Sequence, residues 1–318
     1  MLYRLLKIPA KLALLFYCRK IIINKKELPE SEGPLLLAAN HPNSFLDAII
    51  LATIFKQPIY SLARGDAFAN NFYTKVLFSL KMLPVYRISE GAANLEHNYT
   101  TFTACIDIFK KNGIVLIFSE GRCINEWHLR PLKKGTARLA ISAWQQGIPL
   151  NVIPLGINYS SFRTFGKNMI LNFGKIIEKD SFNEAMPPGE AITTFNTKLQ
   201  GQLKNLVIEA DQSDKEKIKK IFFVPQPLLK KILLFIPATI GWLLHAPLYY
   251  PVILLIRNKA NDHYDSIVVG LLFILYPIYL LLITIAVFFI TGNPLAFLLL
   301  FFIPFTARSY LQLKRQIK

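Results

Sequence analysis

Residues 266–307 carry no formal charge. A helix crossing a hydrocarbon core of ~30 Å uses about 20 residues, so this run is long enough for two. Thr291-Gly292-Asn293-Pro294 interrupts it with turn-forming residues. The pattern predicts a helical hairpin. Its first limb is Ile267–Ile290, and its second begins near Pro294 and reaches about Leu313 if Arg308 snorkels. A second uncharged run, 232–256, is also long enough to span, but Pro237, Pro247 and Pro251 fall inside it. Proline kinks or breaks a helix, so this run reads either as a kinked span or as a re-entrant pair of short helices. Lys230, Lys231, Arg257 and Lys259 flank it, and Arg308, Lys314, Arg315 and Lys318 make the tail basic. By the positive-inside rule, the main domain, the 257–265 loop and the C-terminus share the cytoplasmic side of a membrane.

The rest of the composition agrees with a lipid environment. Of 318 residues, 53% are hydrophobic and 18% charged, and the net charge is +17. So much apolar surface excludes a disordered chain. Cys18, Cys105 and Cys123 form no CxxC, and the five histidines lack ligand spacing. Neither a disulfide framework nor a structural zinc site is expected. A basic chain wants an anionic partner. High hydrophobicity beside it favours membrane lipids over nucleic acid, for which no motif is visible. Residues 2–20 set Leu2, Leu5, Leu6, Ile8, Leu12, Leu15 and Phe16 beside Arg4, Lys7, Lys11, Arg19 and Lys20. That pattern suits an amphipathic helix, either lying in an anionic interface or docked on the domain. Lys7 and Lys11 divide the apolar stretch, which argues against a secretory signal.

Three regions follow: an N-terminal basic helix (1–27), a soluble-looking domain (28–225) and a hydrophobic C-terminal region (226–318). The domain blocks all precede 226, so removal of 226–318 is expected to leave a foldable domain. Leu35–Ala39, Ile59–Leu62, Ile114–Phe118, Val152–Ile157 and Ile170–Phe173 read as strands. Residues 44–56, 67–81, 90–111, 135–147 and 191–211 read as helices. Strands alternating with helices predict an α/β domain with a mostly parallel sheet.

In Leu35–Asp47 a buried strand runs into a helix that begins near Ser44. His41 therefore falls at the carboxyl edge of a strand, where α/β sheets bind ligands. A histidine there is a candidate general base, and Asp47 one helical turn on is a candidate partner for it. Ser44-x-x-Asp47 is equally a capping box, in which Asp47 only serves the helix end. A second strand runs into Ser119-Glu120-Gly121-Arg122. Arg87 follows a short extended piece, and Lys133 and Arg138 lie at a loop–helix junction, where phosphate is commonly bound.

Together these segments resemble the PlsC-like glycerol-3-phosphate and lysophosphatidate acyltransferase superfamily, over roughly residues 30–210. His41 and Asp47 look like its block I, Leu83–Arg87 like block II, Phe118-Ser119-Glu120-Gly121 like the FPEG block III, and Val152–Gly156 like block IV. Five residues separate His41 from Asp47, where the usual block has four. That H-x5-D form, with Pro131–Arg138, resembles a divergent branch. Ser119 replaces the block III proline, and Arg122 follows Gly121 directly.

The resemblance implies a membrane-bound O-acyltransferase in phospholipid biosynthesis. Its donor would be acyl-CoA or acyl carrier protein, its acceptor a phosphorylated glycerol or lysolipid, and it calls for no metal or other cofactor. His41 would be the base and Asp47 its orienting partner. Arg87 would hold the acceptor phosphate with Lys133 and Arg138, and Glu120 and Gly121 would shape the acceptor pocket. The rival readings are a catalytically inactive lipid-binding or scaffolding relative, and a channel subunit. The absence of charge in 266–307 speaks against the channel.

Overall fold

The computed structural model describes residues 1–86, 92–179, 186–211, 213–257 and 261–316, with backbone only at 92–97 and 261. Leu35–Ala39 forms β2, and all five of its residues are buried. Leu35, Leu37 and Ala39 enter one hydrophobic cluster while Leu36 and Ala38 enter another. Alternate residues of a strand face opposite sides of the sheet. A continuous apolar run with both faces covered is therefore a central strand of a three-layer domain.

Seven strands form one sheet in the order β1-β7-β6-β2-β5-β3-β4. These are β1 (Cys18–Ile23), β2, β3 (Ile59–Arg64), β4 (Met82–Val85), β5 (Ile114–Phe118), β6 (Asn151–Tyr159) and β7 (Lys167–Phe173). All neighbours are parallel except β6 and β7. The sequence reading of a mostly parallel α/β sheet holds, with two strands added. β1 begins where the N-terminal helix ends: Cys18 turns extended, and the β-branched Ile21-Ile22-Ile23 continues the strand. β4 occupies the extended piece before Arg87. Arg87 itself lies outside the described residues.

One face carries α4 (Ala92–Lys110), α5 (Gly135–Gln145) and α6 (Pro188–Leu206). The other carries α1 (Leu2–Tyr17) and α2 (Phe45–Ile54). Between β3 and β4 lies α3 (Asn71–Ser79), and α7 (Lys215–Phe222) follows α6, with the Asp214 carboxylate accepting from the Lys217 amide at 3.0 Å. That short amphipathic helix was not anticipated. Its Ile218 and Phe222 bury with Ala210 in a small satellite cluster.

Three helices are long and apolar enough to cross a membrane: Leu228–Ile256 (α8), Tyr264–Thr291 (α9), and Pro294–Leu313, a 3-10 turn continuing as α10 (Leu299–Leu313). Gly292 ends α9 with φ 61°, donating its amide to the Phe288 carbonyl. This left-handed C-terminal position is where glycine costs least, and it opens the turn of the hairpin. Residues 232–256 form one helix rather than a pair, despite three internal prolines. The start of α8 is tied to α10, which is itself tied to β1, and its end is tied to the loop between β6 and β7. Lys230 Nζ donates to Gln312 Oε1 (3.0 Å), Arg19 donates to the Leu311 carbonyl (3.0 Å), and Arg163 donates to the Arg257 carbonyl (2.9 Å).

The change of composition near 226 is not a packing boundary. Ile256, Tyr264, Val268 and Val269 lie in the same cluster as β2 and α2. The Lys167 ammonium at the start of β7 is fully buried and pairs with Asp265 of α9, which is fully buried too. Arg308 of α10 donates to the carbonyls of Leu15, Cys18 and Arg19. A chain ending at 225 would strand a buried cation and open one face of the core.

Candidate active site

β2 lies at the middle of the sheet, with β6 and β5 on its two sides. The loops leaving the carboxyl ends of β2 and β5 diverge there, the usual place of a ligand crevice in an α/β sheet. The Ser119 amide donates to the Ala39 carbonyl (2.8 Å), so the two strand exits stay in register for one step beyond the ladder. His41 follows on one exit and Glu120 on the other.

His41 Nδ1 lies 2.9 Å from Asp47 Oδ2. The Asp47 carboxylate is fully buried, yet every direction around it is answered. Oδ2 also accepts the Asn43 amide (2.9 Å), and Oδ1 accepts the Tyr159 hydroxyl (2.6 Å). A carboxylate so placed keeps the proton on Nδ1 of the imidazole. Nε2 of His41 makes no hydrogen bond among the described residues. The imidazole stacks on the Phe118 ring at 3.7 Å between centroids, 11° from parallel, and its side chain is 17% exposed. The ring is thus fixed on both of its remaining degrees of freedom, face and edge.

The extra residue between His41 and Asp47 is absorbed at Ser44, which takes φ 53°, ψ −139°. A serine at positive φ is strained and persists only where its surroundings enforce it. Here the Ser44 amide donates to Cys123 Sγ (3.0 Å) and its Oγ meets His263 Nδ1 at 2.6 Å. The capping box does not form. Ser44 makes no side-chain cap, and Asp47 accepts from Asn43 rather than from Ser44. Burial and the nearby Asp47 charge push the Cys123 thiol up, which keeps it protonated and a poor nucleophile.

Glu120 is buried and holds the two loops together. Its carboxylate accepts the His41 amide (2.7 Å) and the Arg130 amide (2.8 Å). Burial raises its pKa, and the two amide bonds oppose that rise. Gly121 has φ 70°, and a Cβ there would press on Lys133 Cγ at 2.9 Å. Glycine is needed at this turn on both counts. Lys133 therefore sits over the turn beside Glu120, and its amide donates to the Ser119 carbonyl (2.7 Å). Arg138 is exposed one turn into α5 and makes no side-chain bond to the other site residues. Among the described residues no group of three His, Cys, Asp or Glu is placed to hold a metal ion.

Several residues that sequence reasoning missed complete this arrangement. Tyr159 ends β6 and reaches Asp47. Asn43 donates its side-chain amide to Asp265 Oδ2 (2.7 Å), and Tyr17 donates to Asp265 Oδ1 (2.5 Å). The stretch from Asp262 into the first turn of α9 closes over the same loop. Asp262 Oδ1 accepts the Asn125 amide (2.9 Å), and Ser266 Oγ accepts the Leu46 amide (3.1 Å). An acid at the head of an otherwise uncharged run was the signal available for Asp265. Nothing in the spacing indicated which groups it would meet.

Replacing Tyr159 with phenylalanine removes one bond to a buried charge. A hydrogen bond of that kind contributes ~1.5–3 kcal/mol. The variant is expected to melt several degrees lower and to lose turnover while retaining its fold. Thermal unfolding and turnover of the same preparation check both, and an unchanged melting temperature would remove Tyr159 from the support of Asp47.

Residues 20–158 match the family model described as Acyltransferase. His41, Asp47 and Glu120 all fall within the matched residues. Among solved structures, the 1-acyl-sn-glycerophosphate (LPA) acyltransferase PlsC from Thermotoga maritima aligns with 12% sequence identity and a TM-score of 0.42, covering 64% of this chain and 79% of its own. No curated protein matches the chain significantly.

Proposed function

We propose that this chain is a membrane-bound O-acyltransferase that moves a fatty acyl group from an acyl thioester to a hydroxyl of a glycerophosphate or lysophospholipid. The observation that carries the reading is the His41–Asp47 pair: Nδ1 held at 2.9 Å by a buried carboxylate, Nε2 left with a free lone pair. Nε2 accepts the proton of the acceptor hydroxyl as its oxygen attacks the thioester carbonyl. The tetrahedral intermediate collapses, the C–S bond breaks, and the imidazolium returns the proton to the leaving thiolate. Asp47 steadies the cation between these steps. Direct transfer is the reading preferred, since burial and the nearby Asp47 charge push the Cys123 thiol up and make it a poor nucleophile. The donor is acyl-CoA or acyl carrier protein, and no metal or other cofactor is required.

Arg87 is the proposed phosphate ligand, assisted by Lys133, which lies at the Gly121 turn. Arg138 is a weaker candidate. The three apolar helices support anchoring in the bilayer. The bonds of Arg163 to the Arg257 carbonyl and of Arg308 to the Cys18 carbonyl support a placement of the domain, the 257–265 loop and the C-terminus on one face, and the basic flanks favour the cytoplasmic one.

Purified full-length protein, given labelled acyl-CoA or acyl carrier protein, should acylate at least one of glycerol-3-phosphate, lysophosphatidate or another lysolipid with stoichiometric release of thiol. Failure with every pair would favour an inactive lipid-binding relative of the same fold. Arg87→Ala should raise the KM for a phosphorylated acceptor by about 10- to 100-fold with little change in kcat, as the loss of one charge-assisted contact implies. An unchanged KM would refute the phosphate role.

A further inference from the structure

A second basic site lies away from His41, at the edge strand of the sheet. A cleft of about 670 Å³ opens where α8 leaves the domain and α10 returns to it. Arg19 and Lys20 of β1, Lys230 of α8 and Arg308 of α10 line one part of it, and Leu234 and Phe305 line another. No carboxylate lines it, and neither His41 nor Asp47 does.

The cations are poorly compensated. Arg19 is buried and spends its Nε and Nη2 on the carbonyls of Leu311 and Lys314, leaving Nη1 without a hydrogen bond among the described residues. Arg308 likewise bonds only carbonyls. Burial, and then the Arg308 charge, push the Arg19 guanidinium down to about 10. Among the described residues, Lys20 is exposed and unpaired, and Lys230 has only the neutral Gln312. Guanidinium and ammonium groups gathered without an acid are a site for a phosphate-type oxyanion.

The apolar wall decides which oxyanion. Leu234 and Phe305 belong to the helices proposed to enter the bilayer, and Phe305 is exposed. Beside them α8 presents exposed Ile232, Leu233, Phe235 and Ile236. A soluble phosphate would have no use for that surface. A basic pocket at the mouth of membrane helices, continuous with a lipid-facing wall, fits a headgroup with its chains attached.

We propose that this cleft binds the phosphate of an anionic glycerophospholipid, with the acyl chains lying along Leu234 and Phe305. The bound headgroup bridges β1, α8 and α10, and so fastens the membrane helices to the edge of the catalytic sheet. The site is separate from the acyl-transfer centre and depends only on the membrane placement of α8 and α10.

The test uses the full chain in neutral detergent, with phosphatidylglycerol, phosphatidylcholine or inorganic phosphate added. Native mass spectrometry reads bound lipid, and thermal unfolding reads stabilisation. Phosphatidylglycerol should be retained in preference to phosphatidylcholine and should raise the melting temperature, and inorganic phosphate should do neither. Lys20→Gln with Lys230→Gln should weaken retention by about tenfold or more. Both side chains are outside the core, so the fold is kept, and Arg19 is left in place because it holds α10. Lys110→Gln with Lys111→Gln, at the exposed end of α4, removes the same charge elsewhere and should retain lipid as the parent does. Equal retention of the two lipids, an unaffected Lys20/Lys230 variant, or an equal loss in the Lys110/Lys111 control would overturn the site. Stabilisation by inorganic phosphate equal to that by phosphatidylglycerol would overturn the lipid in favour of a small anion.

Discussion

His41→Ala is expected to lower turnover by about 10²- to 10⁴-fold, the range that a positioned general base contributes. The fold should survive, because the imidazole is partly exposed and Asp47 keeps its bonds from Asn43 and Tyr159. Asp47→Asn separates support from chemistry. The amide has nearly the same shape, so the local structure is retained, but it cannot stabilise an imidazolium and admits the wrong tautomer. Its turnover should fall in the same range, while a helix-end role would cost ~1 kcal/mol of stability and little activity. The measurements are kcat and melting temperature for each variant. Either one retaining over half of the activity would remove the pair from the mechanism.

The second large effect is structural. Asp265→Ala leaves the Lys167 ammonium buried without its counter-charge, and also strips Tyr17 and Asn43 of their acceptor. Breaking one partner from a buried pair costs ~3–5 kcal/mol. The variant should lose much of its folded yield, and a chain ending at 225 should fare no better. Because Asn43 donates to Asp47, residual folded Asp265→Ala should also show reduced kcat. Converting both members, Lys167→Met with Asp265→Leu, removes the stranded charge and should recover much of the stability. A truncated chain that unfolds cooperatively at the parent temperature would show that α8–α10 are only an anchor.

The main sheet, its parallel order and the C-terminal hairpin were legible because each rests on local pattern. Leu35–Ala39 is apolar without interruption, so it had to be buried on both faces. The 266–307 run is uncharged for twice the length of one span. β4 showed only as a short extended piece before Arg87, and β1 and α7 were not legible as such. Each is short, and the pattern that made it was shared with a neighbour: the basic stripe of 2–20 ran on through Arg19 and Lys20 into β1.

The sequence by itself determined which residue types stood at the two strand exits: a histidine, an acid six positions on, and a Glu-Gly turn. It left open whether Asp47 faced the imidazole or capped the helix, since both uses begin from the same Ser44-x-x-Asp47 spacing. Tertiary structure decided it. Cys123 and His263, from two distant segments, take the amide and hydroxyl of Ser44 and hold it at positive φ. That bend absorbs the additional residue and turns Asp47 towards His41. Tyr159 and Asp265, more than a hundred residues further along the chain, fix the carboxylate and the loop that carries it. A fully buried charge is tolerable only when its partners converge on it. Convergence from separate segments is a property of the folded chain, which no local spacing encodes.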